Sequence, residues 1–419
     1  MPRPNPIGNR PITFVLLLLA AFTVGVLADR NGLLPGSVPV PEGLGRTFGE
    51  AWRLVQRDYV DRSAVKPESM TRGAIEGMLA SLGDTGHTAY LTPEEVKRMD
   101  TALQGELDGI GARVSVRKHR PTIVGTIPGS PAAGSGLEAG DVLLQVDGKD
   151  VGELPLDRIV EMVRGKPGTT VHLRVLRSGK SRPLDFDVER AKVEVPNVSW
   201  HMLPGVPVAH LAIENFGEHA DAQVKAAVAD ARKRGARGLL LDVRGDPGGL
   251  KKQAVAVTSE FLKDGIVFIE QDARGRRQEV PVLPGGTATD IPVVVLVDEG
   301  TASSAEIFAG ALQDHKRGKL VGTHTFGTGT VLEPFPLSDG SVVLLAVMEW
   351  LTPSGQVIWH KGIQPDVVVT LPEDAKILLP EEEDKLTAEE LSKSSDKQLL
   401  KGLELLKEEI GLPGKSGKS

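Results

Sequence analysis

The sequence predicts an α/β fold for the part of the chain from about residue 205 to 370, because apolar strand-like runs alternate there with helical patterns. Residues 239–243 and 291–297 are short, mostly apolar runs, which is typical of buried strands. In residues 304–315, apolar side chains recur at helical spacing, so a helix is predicted soon after the second run. The pattern alone does not separate a doubly wound sheet from other α/β architectures.

A serine lies where this predicted helix begins. Ser303 stands in a Thr-Ala-Ser-Ser turn between the apolar run and the helix. A helix start offers free backbone N–H groups and the positive end of the helix dipole, and both stabilise negative charge on a carbonyl oxygen during acyl transfer from a serine. Ser and Thr are also the commonest helix N-caps. The turn by itself therefore leaves a nucleophile and an ordinary cap as alternatives.

A glycine-rich loop follows the first apolar run. Its Pro247-Gly248-Gly249 lets the backbone approach a ligand closely and can offer an N–H group. Together the two segments resemble the carboxy-terminal processing (tail-specific) serine peptidases, whose core has a strand ending in Arg-x-Asn-Pro-Gly-Gly-Leu and a later Gly-Thr-Ala-Ser turn. The likeness covers most of residues 45–370, and further matching runs lie at 86–94, 310–314, 352–355 and 362–366.

The resemblance implies a role for each part of this turn and loop. Ser303 would be the nucleophile, and the backbone N–H groups of Gly249 and Ser304 would form the oxyanion hole. It also implies a crotonase-like ββα spiral for the core, with a β-rich PDZ domain inserted and a helical segment before it.

The chain departs from the family at the general base. The family's Phe-Gly-Lys-Gly run supplies a lysine, whereas here Thr328 takes that place, and Leu332 stands where a glutamine commonly follows. Threonine cannot take a proton from a serine at neutral pH. Some relatives with a tricorn-like site use a histidine and a distant glutamate, so His87 is the predicted base, because its ordinary pKa lies near working pH. Glu349, an acidic residue on an otherwise apolar strand, is its predicted orienting partner.

Residues 106–190 resemble a PDZ domain. In such domains a peptide adds as a strand beside the first strand, and its terminal carboxylate binds backbone N–H groups of a glycine-rich loop. Gly109, Ile110 and Gly111 would be that loop. A hairpin turn that needs glycine for its dihedral angles is the alternative.

Six segments are predicted along the chain: a signal anchor or signal peptide (1–30), a linker (31–45), an N-terminal helical segment (46–105), the PDZ domain (106–190), the peptidase core (191–370) and a charged C-terminal tail (371–419). Arg3 and Arg10 precede the apolar run 12–28, so everything after Arg30 is expected outside the cytoplasm, membrane-anchored or secreted into the periplasm or the cell exterior. The tail is interpreted as a short helix followed by a disordered end. The helical segment is expected to pack, and a homo-oligomer formed through it is an open alternative.

Composition excludes several other classes of function. The 419 residues contain no Cys, which excludes disulfides, zinc thiolate sites and a cysteine nucleophile. A net charge of −7 on a mixed surface gives no reason to expect nucleic-acid binding. No phosphate-binding or HExxH-like motif indicates a metal or another cofactor, and none is predicted.

Two functions from different classes remain. The first is an exported serine endopeptidase whose PDZ domain captures protein or peptide substrates by their exposed C-termini and whose Ser303 performs acyl transfer. The second is a catalytically inactive homologue that binds carboxy-termini as an adaptor. The oxyanion elements favour the first, and the loss of the lysine favours the second.

Overall fold

The computed structural model describes residues 42–84, 88–117, 120–127, 129–372, 375–383 and 385–412. It divides into two compact units, up to residue 77 and from residue 78 onward. The predicted segments 1–30 and most of 31–45 lie outside the described residues. Among the helices that are described, none has the length and apolar character needed to cross a membrane.

Two helices open the described chain, as the sequence predicts: α1 (Glu42–Asp58) and α2 (Pro67–Ala80). The rings of Phe48 and Trp52 lie 6.0 Å apart on α1. Phe48 and Val55 are exposed, as is Tyr59 just beyond the helix. The rest of the segment predicted to be helical contains a short strand, β1 (Ala89–Leu91), followed by α3 (Pro93–Leu103). β1 joins a sheet of the core, so the segment 46–105 is not purely helical.

A small β-rich module follows. Its elements are β2 (Glu106–Gly109), β3 (Ala112–Arg117), β4 (Arg120–Thr126), α4 (Pro131–Ser135), β5 (Val142–Val146), β6 (Lys149–Asp150), α5 (Leu156–Val163), β7 (Thr170–Leu176), β8 (Leu184–Glu189) and β9 (Ala191–Glu194). The sheet order is β3-β4-β5-β7-β8, with β6 beside β5, and β2 pairs separately with β9. On β7, Val171, Leu173 and Val175 are buried and alternate with exposed residues, so one face of the strand packs on the module's own core. The sequence pattern predicts a helix over residues 156–164 and a strand over residues 170–177, and α5 and β7 agree with both to within a residue.

The larger core contains a six-stranded sheet and a second, antiparallel sheet. Its elements are β10 (Val198–Met202), β11 (Val208–Ile213), α6 (Ala220–Lys233), β12 (Gly238–Asp242), α7 (Lys251–Ser259), β13 (Ile266–Asp272), β14 (Arg277–Pro281), β15 (Val293–Val297), α8 (Ser304–Asp314), β16 (Gly318–Gly322), β17 (Thr330–Pro336), β18 (Val342–Leu351) and β19 (Val367–Val368). The first sheet has the order β10-β11-β12-β15-β16-β19 and is parallel except at β10. The second has the order β1-β18-β13-β14, with β17 also paired to β18. The predicted α/β class is confirmed, and the second sheet distinguishes the core from a single doubly wound sheet.

The central strands β12 and β15 are mostly apolar because both faces of the parallel sheet are covered. On β12, Leu239 and Leu241 pack into the cluster formed with α6, α7 and α8, whereas Leu240 packs into a cluster on the opposite face. The same alternation holds along β15. Because both strands are buried on both faces, their ends are held in place. The glycine-rich loop begins at the end of β12, and the turn with Ser303 begins at the end of β15.

The opposite face is covered by the segment predicted to be a charged tail. It forms α9 (Pro380–Glu383), α10 (Ala388–Ser392) and α11 (Lys397–Glu409). Leu399, Leu403 and Leu406 of α11 are buried against the sheet. The short helix expected in this segment is present as α11, whereas the expectation of a charged tail is wrong for the described residues up to 412, because the leucine stripe of α11 is part of the core.

Candidate active site

The turn between β15 and α8 holds Ser303 in an unusual backbone conformation. Its φ is 54° and its ψ is −119°. Positive φ is rare for a residue with a side chain, and such strain of about 1–3 kcal/mol persists only where the surroundings impose it. Buried Thr301 helps to impose it, because its hydroxyl donates to the Val243 carbonyl at 2.8 Å. The turn is thereby tied to the end of β12.

The glycine-rich loop after β12 packs directly on this turn. A Cβ at Gly248 would lie 2.6 Å from the Cβ of Ser303, and a Cβ at Gly249 would lie 2.5 Å from the Phe216 carbonyl oxygen. Gly249 has a φ of 146° and forms a parallel bridge with Phe216. The bridge uses the N–H groups of Phe216 and Leu250. Only glycine fits at these two positions.

Two backbone N–H groups beside Ser303 have no acceptor in the part of the chain that the structure describes. Among the described residues, no hydrogen bond uses the N–H of Gly249 or of Ser304. Ser304 is the first residue of α8, where helical N–H groups have no partner in the helix. Its hydroxyl donates to the Gly249 carbonyl at 3.1 Å, which holds the loop against the helix start. This is an arrangement that can bind a carbonyl oxygen as it becomes negatively charged.

A buried glutamate connects the serine turn to the next loop. One carboxylate oxygen of Glu306 accepts from the N–H groups of Ser303 at 3.0 Å and Thr328 at 2.8 Å. The other accepts from the Thr325 hydroxyl at 2.5 Å and the Gly327 N–H at 2.7 Å. Burial raises the pKa of Glu306, and these four hydrogen bonds oppose the rise. The Glu306 carboxylate therefore holds the backbones of Ser303 and Thr328 close to each other.

Thr328 thus lies beside the serine turn. It is 6% exposed, and its side chain has no group that takes a proton at neutral pH. Within the described chain, Thr328 leads into β17, whose first residue, Thr330, is the register partner of Glu349 on β18. Glu349 is half-buried and accepts from the Gln271 side-chain amide at 3.1 Å.

His87 lies outside the described residues. Its neighbour Thr88 is described, and the Thr88 hydroxyl accepts from the Ala346 N–H at 3.1 Å on β18. Asp84 in turn accepts from both the N–H and the hydroxyl of Thr88. Ala346 precedes Glu349 by three residues on the same strand. Thr88 thus contacts β18, Glu349 lies on that strand, and Thr328 comes two residues before β17, the strand that pairs with it.

Comparison with known proteins identifies the family. Peptidase family S41 matches residues 207–369, and a PDZ domain matches residues 122–177. The carboxy-terminal processing protease CtpA of Bacillus subtilis is 33% identical over 368 residues, which cover 87% of this chain and 78% of that protein. The carboxyl-terminal-processing protease of Synechocystis sp. is 36% identical over 335 residues, covering 78% of each chain. The chain belongs to the S41 peptidase family.

A solved relative agrees with this assignment. The photosystem II D1 C-terminal processing protease is 30% identical, superimposes with a TM-score of 0.51, and is matched over 80% of this chain and 95% of that one. The S41 chain is therefore a homologue of carboxy-terminal processing serine proteases, with a PDZ domain.

The PDZ domain of this S41 chain leaves the predicted peptide loop open. Ile110 is buried, and its carbonyl accepts from the Ala132 N–H at 2.8 Å. No hydrogen bond of the described residues uses the N–H of Ile110 or Gly111. Gly111 has a φ of 74°, and a Cβ there would lie 2.3 Å from the Cβ of Ser130, so glycine is also required for the turn. Beyond Gly109, β3 pairs only with β4, which leaves its other edge unpaired in the described sheet.

A buried ionic network adjoins the end of β12, where the glycine-rich loop of the S41 core begins. Arg244 binds Asp242 at 2.6 Å and Asp396 at 2.9 Å. His210 lies between Glu383 at 2.7 Å and Asp242 at 3.1 Å. Burial lowers the pKa of His210, but the charge of Glu383 and the hydrogen bonds to both carboxylates outweigh it and raise that pKa to about 10. The C-terminal segment is thereby bound to the strand end that carries the loop.

Sequence reasoning missed both Glu306 and this network. Glu306 carries a local signal, because a glutamate three residues after a capping serine is the pattern of a capping box. The partners of His210 offer no such signal, since Glu383 lies 173 residues away along the chain.

Proposed function

We propose that the protein is an exported serine endopeptidase of the carboxy-terminal processing type, with Ser303 as its nucleophile. The observation that carries the proposal is the strained backbone of Ser303 beside two unused N–H groups, those of Gly249 and Ser304. An ordinary helix cap needs neither the strain nor the pair of glycines packed on it. The Ser303 hydroxyl attacks the scissile carbonyl, and the two N–H groups hold the oxygen as it gains negative charge.

The proton of Ser303 goes to His87 in this proposal, with Glu349 orienting the imidazole. Support comes from the positions of described neighbours: Thr88 contacts β18 at Ala346, and Glu349 lies on that strand opposite the chain that continues from Thr328. His87 then gives the proton to the leaving amine, and water releases the acyl group. A histidine can serve as base at neutral pH, which Thr328 cannot.

The PDZ domain selects the substrate in this proposal. A peptide would add along the open edge of β3 and place its terminal carboxylate on the N–H groups around Gly109, Ile110 and Gly111. The partners are proteins or peptides with an exposed C-terminus. The charged and apolar pattern of residues 1–30 supports export and attachment to the membrane.

One observation favours a second candidate, a catalytically inactive homologue that binds carboxy-termini as an adaptor. Thr328 lies next to the Ser303 backbone and supplies no base. In that case the serine turn and the glycine-rich loop would have only a structural role. The function would be the binding of carboxy-termini by the PDZ domain.

Covalent labelling of the full chain with a fluorophosphonate probe tests the proposal. Intact mass and peptide mapping should place the label on Ser303 and find none in Ser303→Ala. His87→Ala should lower the labelling rate by about 100-fold or more, the usual contribution of a general base. His172→Ala, which removes an exposed histidine of the PDZ domain, is the control and should label normally. A folded protein that never labels would support the adaptor, and unchanged labelling of His87→Ala would exclude His87 as the base.

A further inference from the structure

The loop after β12 that holds Gly248 and Gly249, here called the oxyanion loop, contains a fully buried carboxyl group, that of Asp246. The residue is 0% exposed, and its backbone carbonyl accepts from the Ala302 N–H at 2.9 Å. One side-chain oxygen, Oδ1, accepts from the Gly248 N–H at 2.7 Å. Asp246 therefore fixes the loop at Gly248 and joins it to the residue before Ser303.

The second oxygen of this carboxyl group is unpaired. Among the described residues, Oδ2 of Asp246 has no hydrogen-bond donor within reach. An ionised oxygen without donors is much costlier to bury than a protonated one. Burial accordingly raises the pKa of Asp246 well above its usual range, and the charge of Glu214 raises it further.

The charged groups around the loop do not compensate Asp246. Arg244 of the same loop is committed to Asp242 and Asp396. Glu214, after β11, is acidic and binds Arg113 at 2.6 Å. Charged groups on the segments next to the loop are also engaged: on the serine turn, Asp298 accepts from the Gly245 N–H, and at the start of α7, Lys251 binds Glu270.

We propose that Asp246 is a positioning residue that works as a neutral carboxylic acid, and that its deprotonation switches off the oxyanion hole at alkaline pH. While Oδ2 carries a proton, the loop is free of net charge and Oδ1 holds Gly248 in place. Loss of that proton puts a buried negative charge three residues before Gly249. That charge repels the substrate oxygen as it becomes negative. Because Asp246 is buried, water screens this repulsion little. The effect on Ser303 chemistry rests on the proposed function, whereas the protonation of Asp246 does not.

The first measurement is the rate of fluorophosphonate labelling at Ser303 between pH 5 and pH 10. We expect the wild-type rate to fall about tenfold per pH unit above the pKa of Asp246, because only the protonated fraction reacts. Asp246→Asn keeps an oxygen acceptor for the Gly248 N–H and cannot ionise, and the family's own run has Asn at this position. This variant should lose the alkaline fall. Asp264→Asn, an exposed carboxylate, is the control and should keep it.

The second measurement does not depend on serine chemistry. The thermal unfolding midpoint of wild type and Asp246→Asn is compared across the same pH range. The unfolded carboxyl ionises above about pH 4, while the folded one stays protonated. The wild-type midpoint should therefore fall relative to the variant as pH rises, until the folded pKa is passed.

The two readouts separate the possible failures. An alkaline fall that persists in Asp246→Asn, or a midpoint difference that stays constant with pH, would overturn the inference. If no protein labels at any pH, the proposed peptidase activity fails, and the midpoint comparison still decides whether Asp246 is a neutral acid. If the difference in unfolding midpoint between wild type and Asp246→Asn widens as pH rises, Asp246 is a neutral acid in the folded protein. If Asp246→Asn also loses the alkaline fall in labelling rate, the proposed switch is supported as well.

Discussion

Glu306 does more for the serine turn than a helix-capping residue ordinarily does. Its two oxygens accept four hydrogen bonds, and three of these come from backbone N–H groups on both sides of the site. A carboxylate can accept at every position, whereas a glutamine presents donors on one side. The negative charge of Glu306 is thus suited to hold Ser303 and Thr328 together.

We predict that Glu306→Gln slows labelling at Ser303 by at least about tenfold, which corresponds to roughly 1.4 kcal/mol of lost positioning. The amide NH₂ would face N–H groups, and each buried donor left unpaired costs about 1–3 kcal/mol of stability. Urea unfolding and labelling kinetics on the same preparation check both effects. Glu299→Gln, at an exposed position in the same turn, is the control. Wild-type kinetics in Glu306→Gln would contradict the prediction.

Helix α11 illustrates how a charged sequence can hide a core element. Its residues alternate between lysine or glutamate and leucine, so its average composition is polar, but the leucines fall on one stripe. That stripe covers Leu240, Val294 and Leu296 of the parallel sheet. Without α11, this face of β12 and β15 would be open to water.

We predict that Leu403→Ala lowers the free energy of unfolding by about 2–5 kcal/mol, the range for truncating a buried leucine. Leu403 is 4% exposed in the cluster between α11 and the sheet. Leu405→Ala, at a half-buried position on the same helix, should have a clearly smaller effect. Chemical denaturation of the two variants provides the comparison. Equal effects would show that α11 does not pack as described.

The strands and the serine turn could be predicted because their signals are local. The apolar run before Ser303 and the Pro247-Gly248-Gly249 loop each carry their meaning within a few residues. The contact from Glu306 to Thr328 and the packing of α11 depend on where distant segments meet. Such pairings arise from tertiary structure, and periodicity does not contain them. The lysine position was identified by resemblance alone.

The network around His210 links three distant parts of the core in one buried charge cluster. His210 lies on β11, Asp242 ends β12 and Glu383 ends α9. The imidazole and both carboxylates are buried. A protonated imidazole between two carboxylates is favourable, whereas a neutral one leaves negative charge uncompensated.

This arrangement predicts a loss of stability of the whole core at alkaline pH. The folded pKa of His210 is raised to about 10, while the unfolded value is about 6.5. Because the folded state holds the proton more tightly, the stabilisation is fully present below about pH 6.5 and is lost as pH rises through 10. The free energy of unfolding should fall by up to about 1.4 kcal/mol per pH unit in that window.

Urea unfolding between pH 6 and pH 10.5 measures this slope, compared with a variant carrying both His210→Gln and Glu383→Gln. The double substitution removes the imidazolium together with one carboxylate, so no new unpaired charge is created at that contact. We expect its stability to depend less steeply on pH than that of the wild type. His172→Gln, which removes an exposed histidine paired with Asp187 on the PDZ domain, should keep the wild-type slope above pH 8. Parallel slopes for the wild type and the double variant would mean that His210 is neutral in the folded protein. The ionic link between the C-terminal segment and the end of β12 would then rest on Arg244 and Asp396.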